Sequence, residues 1–214
     1  VVLECNDGFL NDIRAMAVEE RHVRAALRDA SDHFSEGAVG GGTGMSCYGL
    51  KGGIGSASRK IRLDGNSYTL GSLVMTNFGT LRDLTVDGKA VGRKLAANSS
   101  QEEDKGSVIV VLATDIPLSD RQIKRLCRRA SVGITRTGAF IGNGSGEIVV
   151  GFSTAYTIPH YEAKSILPVS QLNENKINDL FRATVSAVEE SVVSSLTHAR
   201  TIVGRAGHKR LSFL

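Results

Sequence analysis

A chain of 214 residues with 41% hydrophobic and 22% charged residues has the make-up of an ordinary globular protein able to bury a sizeable core. Its longest apolar run, residues 108–113, falls far short of the roughly 20 residues a membrane-spanning helix needs, and no stretch reads as a signal peptide. Three cysteines without a C-x-x-C pair argue against a closed disulfide framework, and five histidines without H-x-x-x-H spacing argue against a metal site.

In chain order, Asn11-Asp12 opens a helical pattern in which Ile13, Val23, Ala26, Leu27 and Ala30 are apolar among charges, ending before Ser31. Glycine-rich loops follow at 40–44 and 51–59. Neither is a phosphate cradle, because no G-x-x-x-x-G-K-[ST] is present and no G-x-G-x-x-G joins a strand to a helix. Asp64-Gly65 signals a hairpin between strands at 61–63 and 68–76, and Asp87-Gly88 signals another between 84–86 and 89–91.

Residues 97–106 are polar and aperiodic, the pattern of an exposed loop, and they deliver Ser107 to the first position of the β-branched run at 108–113. That run is expected to be a central strand, covered on both faces. Ser119 and Gln122 fit a capping box for a helix ending near Gly133. Within it Ile123, Leu126, Cys127 and Ala130 form an apolar stripe, so Arg121, Lys124, Arg125, Arg128 and Arg129 read as its solvated side rather than a nucleic-acid patch. Residues 147–154 read as a second buried strand. Asn175 then caps a long helix with Ile177, Leu180, Phe181, Thr184, Val185, Val188 and Val192 inward. Strands and helices alternate too irregularly for a doubly wound parallel sheet, which favours sheets covered by helices on their outer faces.

Gly106-Ser107 admits two readings. Taken alone it is an ordinary loop-to-strand junction. The alternative is chemical: Ser107 Oγ attacks the Gly106 carbonyl, the peptide becomes an ester, and hydrolysis frees Ser107 as a new N-terminus. Glycine before the serine tolerates the backbone distortion this requires. The freed amine, with an ordinary pKa of about 7.7 to 8.0, then serves as base for its own hydroxyl. Ser145 and Glu147, two apart at a strand entrance, project to one side and offer a hydroxyl and a carboxylate to that amine, or else form a plain turn with an exposed Glu. Asn77, at a strand end, is either a turn residue or an amide donor to an oxyanion.

Together, residues 5–13, 39–45, 51–59, 76–79, 106–118 and 142–155 resemble, in matching order, the L-aminopeptidase/D-amidase-esterases and β-peptidyl aminopeptidases, a family of self-cleaving serine aminopeptidases. The resemblance implies an α+β fold: a four-layer αββα sandwich of two mixed β-sheets covered by helices, like N-terminal-nucleophile hydrolases but differently connected. It implies a single domain over 1–214, cut between Gly106 and Ser107 into fragments 1–106 and 107–214. Ser107 is then the nucleophile, Ser145 and Glu147 handle protons and the substrate amine, and Asn77 stabilises the oxyanion. The implied substrates are small peptides, amides or esters with a free N-terminal amine, handled without metal or organic cofactor, nucleic acid or membrane.

Family members commonly assemble as tetramers of cleaved αβ pairs. They usually carry a long segment before the point at which this sequence opens, so that part of the family fold is expected to be missing here. The implied compartment is the cytoplasm, or the periplasm if a signal precedes Val1. Two rivals remain open: an autoproteolytic acyltransferase resembling ornithine acetyltransferase, against which a serine rather than a threonine at 107 speaks, and a noncatalytic assembly protein of the same fold.

Overall fold

The computed structural model describes residues 2–96 and 106–214. In chain order these form α1 (Glu20–Arg28), β1 (Ser46–Cys47), β2 (Leu50–Lys51), β3 (Gly53–Leu63), β4 (Asn66–Asn77), α2 (Val91–Leu95), β5 (Ser107–Thr114), α3 (Asp120–Arg136), β6 (Gly146–Ser153), α4 (Ile177–Thr197), β7 (Ile202–Val203) and β8 (Lys209–Arg210). The principal sheet has the order β3-β4-β5-β6, antiparallel except for the parallel β5–β6 pair.

The Asp64-Gly65 signal behaves as expected. Both residues have positive φ, 47° and 83°, and a two-residue turn of this kind matches the strand twist. The strands it joins are longer than the sequence suggested, because the glycine-rich stretch 53–59 is itself strand. Its glycines have a packing role: a Cβ on Gly55 would lie 2.0 Å from the Ser191 carbonyl oxygen of α4, so the helix sits directly on the β3 backbone. The Asp87-Gly88 turn is also present, but it closes only the single bridge between Val86 and Lys89 before the chain turns into α2.

β5 is central, as its apolar run requires. The 146–153 strand is instead at the edge, with Ile148 and Phe152 exposed, so continuous apolar character overstated its burial. α3 begins with the Ser119–Gln122 capping box and runs three residues past Gly133 to Arg136. Asn173, not Asn175, provides the cap that leads through a short 3-10 turn into α4. The helix anticipated over 13–30 is shorter: a 3-10 turn at Ile13–Ala15 precedes α1, which buries no residue.

α3 and α4 cover one face of the sheet. Leu70, Val74, Val108, Val110 and Leu112 pack there against Leu126, Ala130, Ile134, Leu180, Val188 and Val192. Much of the basic stripe of α3 is engaged within the fold. Arg121 and Arg125 pair with Glu174, and Arg125 and Arg129 lie over the Phe181 ring. Cys5 and Cys47 are buried and Cys127 half-buried, all three as free thiols.

Of the four layers implied by the sequence, the described residues therefore supply one sheet and one helical layer. The opposite face of the sheet holds a small cluster of Cys5, Met45 and Ile109 flanked by Leu3, Met75 and Val111, beside exposed Leu73, Ile148 and Phe152. The 97–105 part of the predicted loop lies outside the described residues.

Candidate active site

Three strand ends meet at one edge of the sheet. Asn77 closes β4, Ser107 opens β5 and Gly146 opens β6, and the register pairs Asn77 with Ser107 and Ser107 with Gly146. β4 stops here because the backbone turns at Gly79, whose φ of +84° suits glycine and whose missing side chain makes room for the Tyr48 ring.

Gly106 is glycine for a reason the sequence did not disclose. Its φ is not left-handed, but a Cβ on it would lie 1.7 Å from the Asn77 carbonyl oxygen and 2.9 Å from Phe78 Cα. The two backbones approach so closely that no side chain fits. On its other side, the Gly106 carbonyl oxygen accepts an N–H from Gly146 at 3.3 Å. The peptide before Ser107 is thus held by both neighbouring strands.

The pleat assigns faces. Val108 and Val110 join the helix-covered core, so Ser107, Ile109 and Val111 point to the opposite side, as do Asn77 and Met75 on β4. Residues 3–6 lie against that side. Cys5, 8% exposed, packs with Met45 and Ile109 on that side. Burial pushes its thiol pKa up, so it stays protonated near neutrality.

The Asn77 amide is fixed at both ends: Oδ1 accepts the Ser46 N–H and Nδ2 donates to the Asn6 carbonyl, each at 2.9 Å. That leaves the amide one further N–H to offer. Ser46 is held in turn by Arg210 Nε, which donates to its Oγ at 3.1 Å. Arg210 also stacks on Phe9, anchoring the N-terminal segment to the C-terminal ribbon.

Ser145 and Glu147 flank Gly146 and are half-buried. Ser145 closes a turn by donating its N–H to the Gly142 carbonyl at 3.0 Å. Glu147 pairs with Val108, one step along the strand from Ser107 and on the side of the sheet that Val108 occupies. All four side chains singled out in the sequence thus converge on one sheet edge, with Asn77 and Ser107 sharing a face.

Two contributors escaped the sequence reading. Cys5 counted only as one of three cysteines outside a disulfide framework, although it opens one of the matching stretches. Lys51 read as a prefix to glycines, yet its side chain is fully buried. Its ammonium donates to the carbonyls of Gly42, Met45 and Gly52 at 2.8, 2.7 and 2.6 Å. Burial lowers its pKa to about 8. By fixing the Met45 carbonyl, Lys51 holds the segment whose next residue, Ser46, grips Asn77. No propensity or periodicity signals such a lysine.

Residues 1–210 match peptidase family S58. The chain belongs to that family. It is 41% identical to the β-peptidyl aminopeptidase BapA of Sphingosinicella microcystinivorans, over 97% of this chain and 57% of that protein. A crystal structure from Pyrococcus horikoshii OT3 superposes with a TM-score of 0.93 at 49% identity, covering 99% of this chain and 58% of the other. The L-aminopeptidase D-Ala-esterase/amidase of Ochrobactrum anthropi, described as a prototype serine aminopeptidase and a variant of the Ntn hydrolase fold, gives 0.89 at 40% identity over 97% and 58%.

This S58 chain therefore spans a little over half the length of these relatives, and over that span it shares their fold. Among the described residues, no helix is long and apolar enough to cross a membrane.

Proposed function

We propose that this chain is the nucleophile-bearing part of a self-cleaving serine aminopeptidase. The observation that carries the reading is the clamped Gly106–Ser107 peptide, with a carbonyl held by the Gly146 N–H, a position closed to any side chain, and a serine immediately after it. In the first step Ser107 Oγ bonds to the Gly106 carbonyl carbon and the C–N bond breaks. The hydroxyl proton ends on the Ser107 nitrogen. Water then hydrolyses the ester, leaving a carboxylate on Gly106 and restoring the hydroxyl.

The Gly146 N–H stabilises the oxyanion of this self-cleavage, a role suited to a preorganised backbone donor. In the mature enzyme the Ser107 amine accepts the proton of its own hydroxyl, and Oγ attacks the first carbonyl of a substrate. The remaining Asn77 N–H offers a donor to that oxyanion. Ser145 and Glu147 serve the two amines, the enzyme's and the substrate's, which is why a free substrate N-terminus is required. The substrates are short peptides, amides or esters, in keeping with the peptidase and esterase names of the relatives. The same reading takes the enzyme to be cytoplasmic and to work as a tetramer of cleaved pairs. Exposed Ile158, Tyr161, Ile166 and Val169 supply apolar surface for such contacts.

The test is a matched pair of substrates on the protein at its full natural length. Hydrolysis of an aminoacyl p-nitroanilide, abolished when the substrate amine is acetylated, supports the reading. Equal rates on both would defeat it.

A further inference from the structure

The Asn77 amide is gripped by a peptide group whose other end meets a buried charge. We propose that Lys51 is a positioning residue for Asn77: through the single peptide joining Met45 to Ser46, its ammonium orients and polarises the side-chain amide that shares a face with Ser107. The inference rests on the reading of Asn77 as an oxyanion donor and adds the residue that tunes that donor.

The contacts form a continuous chain. Lys51 Nζ donates to the Met45 carbonyl at 2.7 Å, and on the far side of the same peptide the Ser46 N–H donates to Asn77 Oδ1 at 2.9 Å. A trans peptide is planar, with its C=O and N–H pointing in opposite directions, so Lys51 and Asn77 hold the two ends of one rigid dipole. The Met45 oxygen also accepts the Gly52 N–H at 3.1 Å, which occupies its second lone pair. Because the Ser46 N–H can only donate, it decides which way round the Asn77 amide sits. Oδ1 faces Ser46, and Nδ2 gives one N–H to the Asn6 carbonyl at 2.9 Å and keeps the other for the oxyanion.

Charge distinguishes this arrangement from ordinary hairpin bonding. Lys51 is fully buried, and its three donors go to the carbonyls of Gly42, Met45 and Gly52. Burial lowers its pKa to about 8, so it remains charged at neutral pH. Neutral N–H groups could satisfy the same carbonyls, but an ammonium adds a field directed along the Met45–Ser46 peptide toward Asn77. In a low-dielectric interior, hydrogen bonds in series polarise one another. A cation on the Met45 oxygen strengthens the Ser46 N–H as a donor, and that bond in turn strengthens the N–H groups of Nδ2. An oxyanion is stabilised best by donors that are fixed and polarised before its charge develops.

The experiment measures kcat and KM on an aminoacyl p-nitroanilide for full-length wild type, Lys51→Met, Asn77→Ala, the double variant and Ser46→Pro, with kcat expressed per mole of cleaved chain. Self-cleavage draws on the Gly146 N–H instead, so the variants are expected to mature. Loss of one oxyanion donor sets the scale, and Asn77→Ala is expected to lower kcat about a hundredfold. Lys51→Met keeps most of the side chain and removes the charge. It is expected to lower kcat about tenfold with KM within about twofold of wild type, as befits an interaction made only in the transition state. The double variant is expected to be no slower than Asn77→Ala alone, because Lys51 then has nothing to act through. A merely structural role would leave this cycle additive.

Ser46→Pro removes the N–H that joins the two residues while Lys51 keeps its carbonyls. It is expected to lower kcat to a similar degree, and it carries the test should Lys51→Met fail to fold or to cleave. Wild-type kcat in Lys51→Met or in Ser46→Pro, or losses that multiply in the double variant, would overturn the proposal and leave Asn77 as the donor. Wild-type kcat in Asn77→Ala would overturn the reading of Asn77 itself, and the role of Lys51 with it.

Discussion

The two faces of the principal sheet obey different rules. On the helix-covered face, alternate residues of β4 and β5, among them Leu70, Val74, Val108, Val110 and Leu112, are buried, and Thr76 Oγ1 is hydrogen-bonded to Ser195 Oγ of α4 at 2.8 Å. On the opposite face Ser107, Asn77 and Cys5 share the sheet with exposed Leu73, Ile148 and Phe152. One face holds the fold together. The other carries Ser107 and Asn77, the groups proposed to react, beside a smaller apolar cluster.

This contrast makes separable predictions, taken from the largest effect downwards. Gly106→Ala forces a methyl group to within 1.7 Å of the Asn77 carbonyl oxygen. Displacing the clamped peptide by an ångström or so is expected to slow cleavage by about a hundredfold or more, read as the fraction of intact chain over time. Leu180→Ala, at a fully buried position on the helix face, is expected to cost about 3 kcal/mol in denaturant unfolding. Its cleavage rate under native conditions is expected to stay near wild type. If Leu180→Ala slowed cleavage as much as Gly106→Ala, the division between the faces would not hold.

Lys51→Met strands three buried carbonyls without a donor and is expected to cost about 2 to 4 kcal/mol. The pH dependence sharpens the assignment. The folded-state pKa of Lys51, about 8, lies below its ordinary 10.5, so the unfolded chain binds more protons between these values. Below about 8 both states are protonated and the full cost of burying the ammonium stands. As pH rises through the window, wild type should therefore gain stability relative to Lys51→Met, measured as the difference in Tm. At the small end, Lys124→Ala removes the exposed pair with Asp120 on α3 and is expected to change stability by no more than about 0.5 kcal/mol.

What the sequence disclosed follows the same division. Elements whose signal is local were legible: the Asp64-Gly65 turn, the Ser119–Gln122 box, the apolar run of β5 and the inward stripe of α4. α1 was overextended because its apolar residues Val23 and Leu27, spaced as if for burial, find nothing to pack on among the described residues. β6 was taken as buried because a run of apolar residues does not reveal that its strand is the last of those described in the sheet. Ser107, Asn77, Ser145 and Glu147 were singled out through resemblance, since each taken alone reads as a turn or junction. The partners that hold them came from far along the chain. Cys5 meets Ile109 and Lys51 meets Gly42 through contacts that no spacing rule encodes, and Gly106 owes its identity to the close approach of Asn77, far earlier in the chain, rather than to its own φ.

The most direct test of the account is the intact mass of purified, full-length protein together with sequencing of every N-terminus present, for wild type and Ser107→Ala. Two pieces from wild type, one beginning Ser-Val-Ile-Val, and a single uncut chain from the variant are the predicted result. An uncut wild-type chain that nonetheless hydrolyses aminoacyl substrates would contradict it.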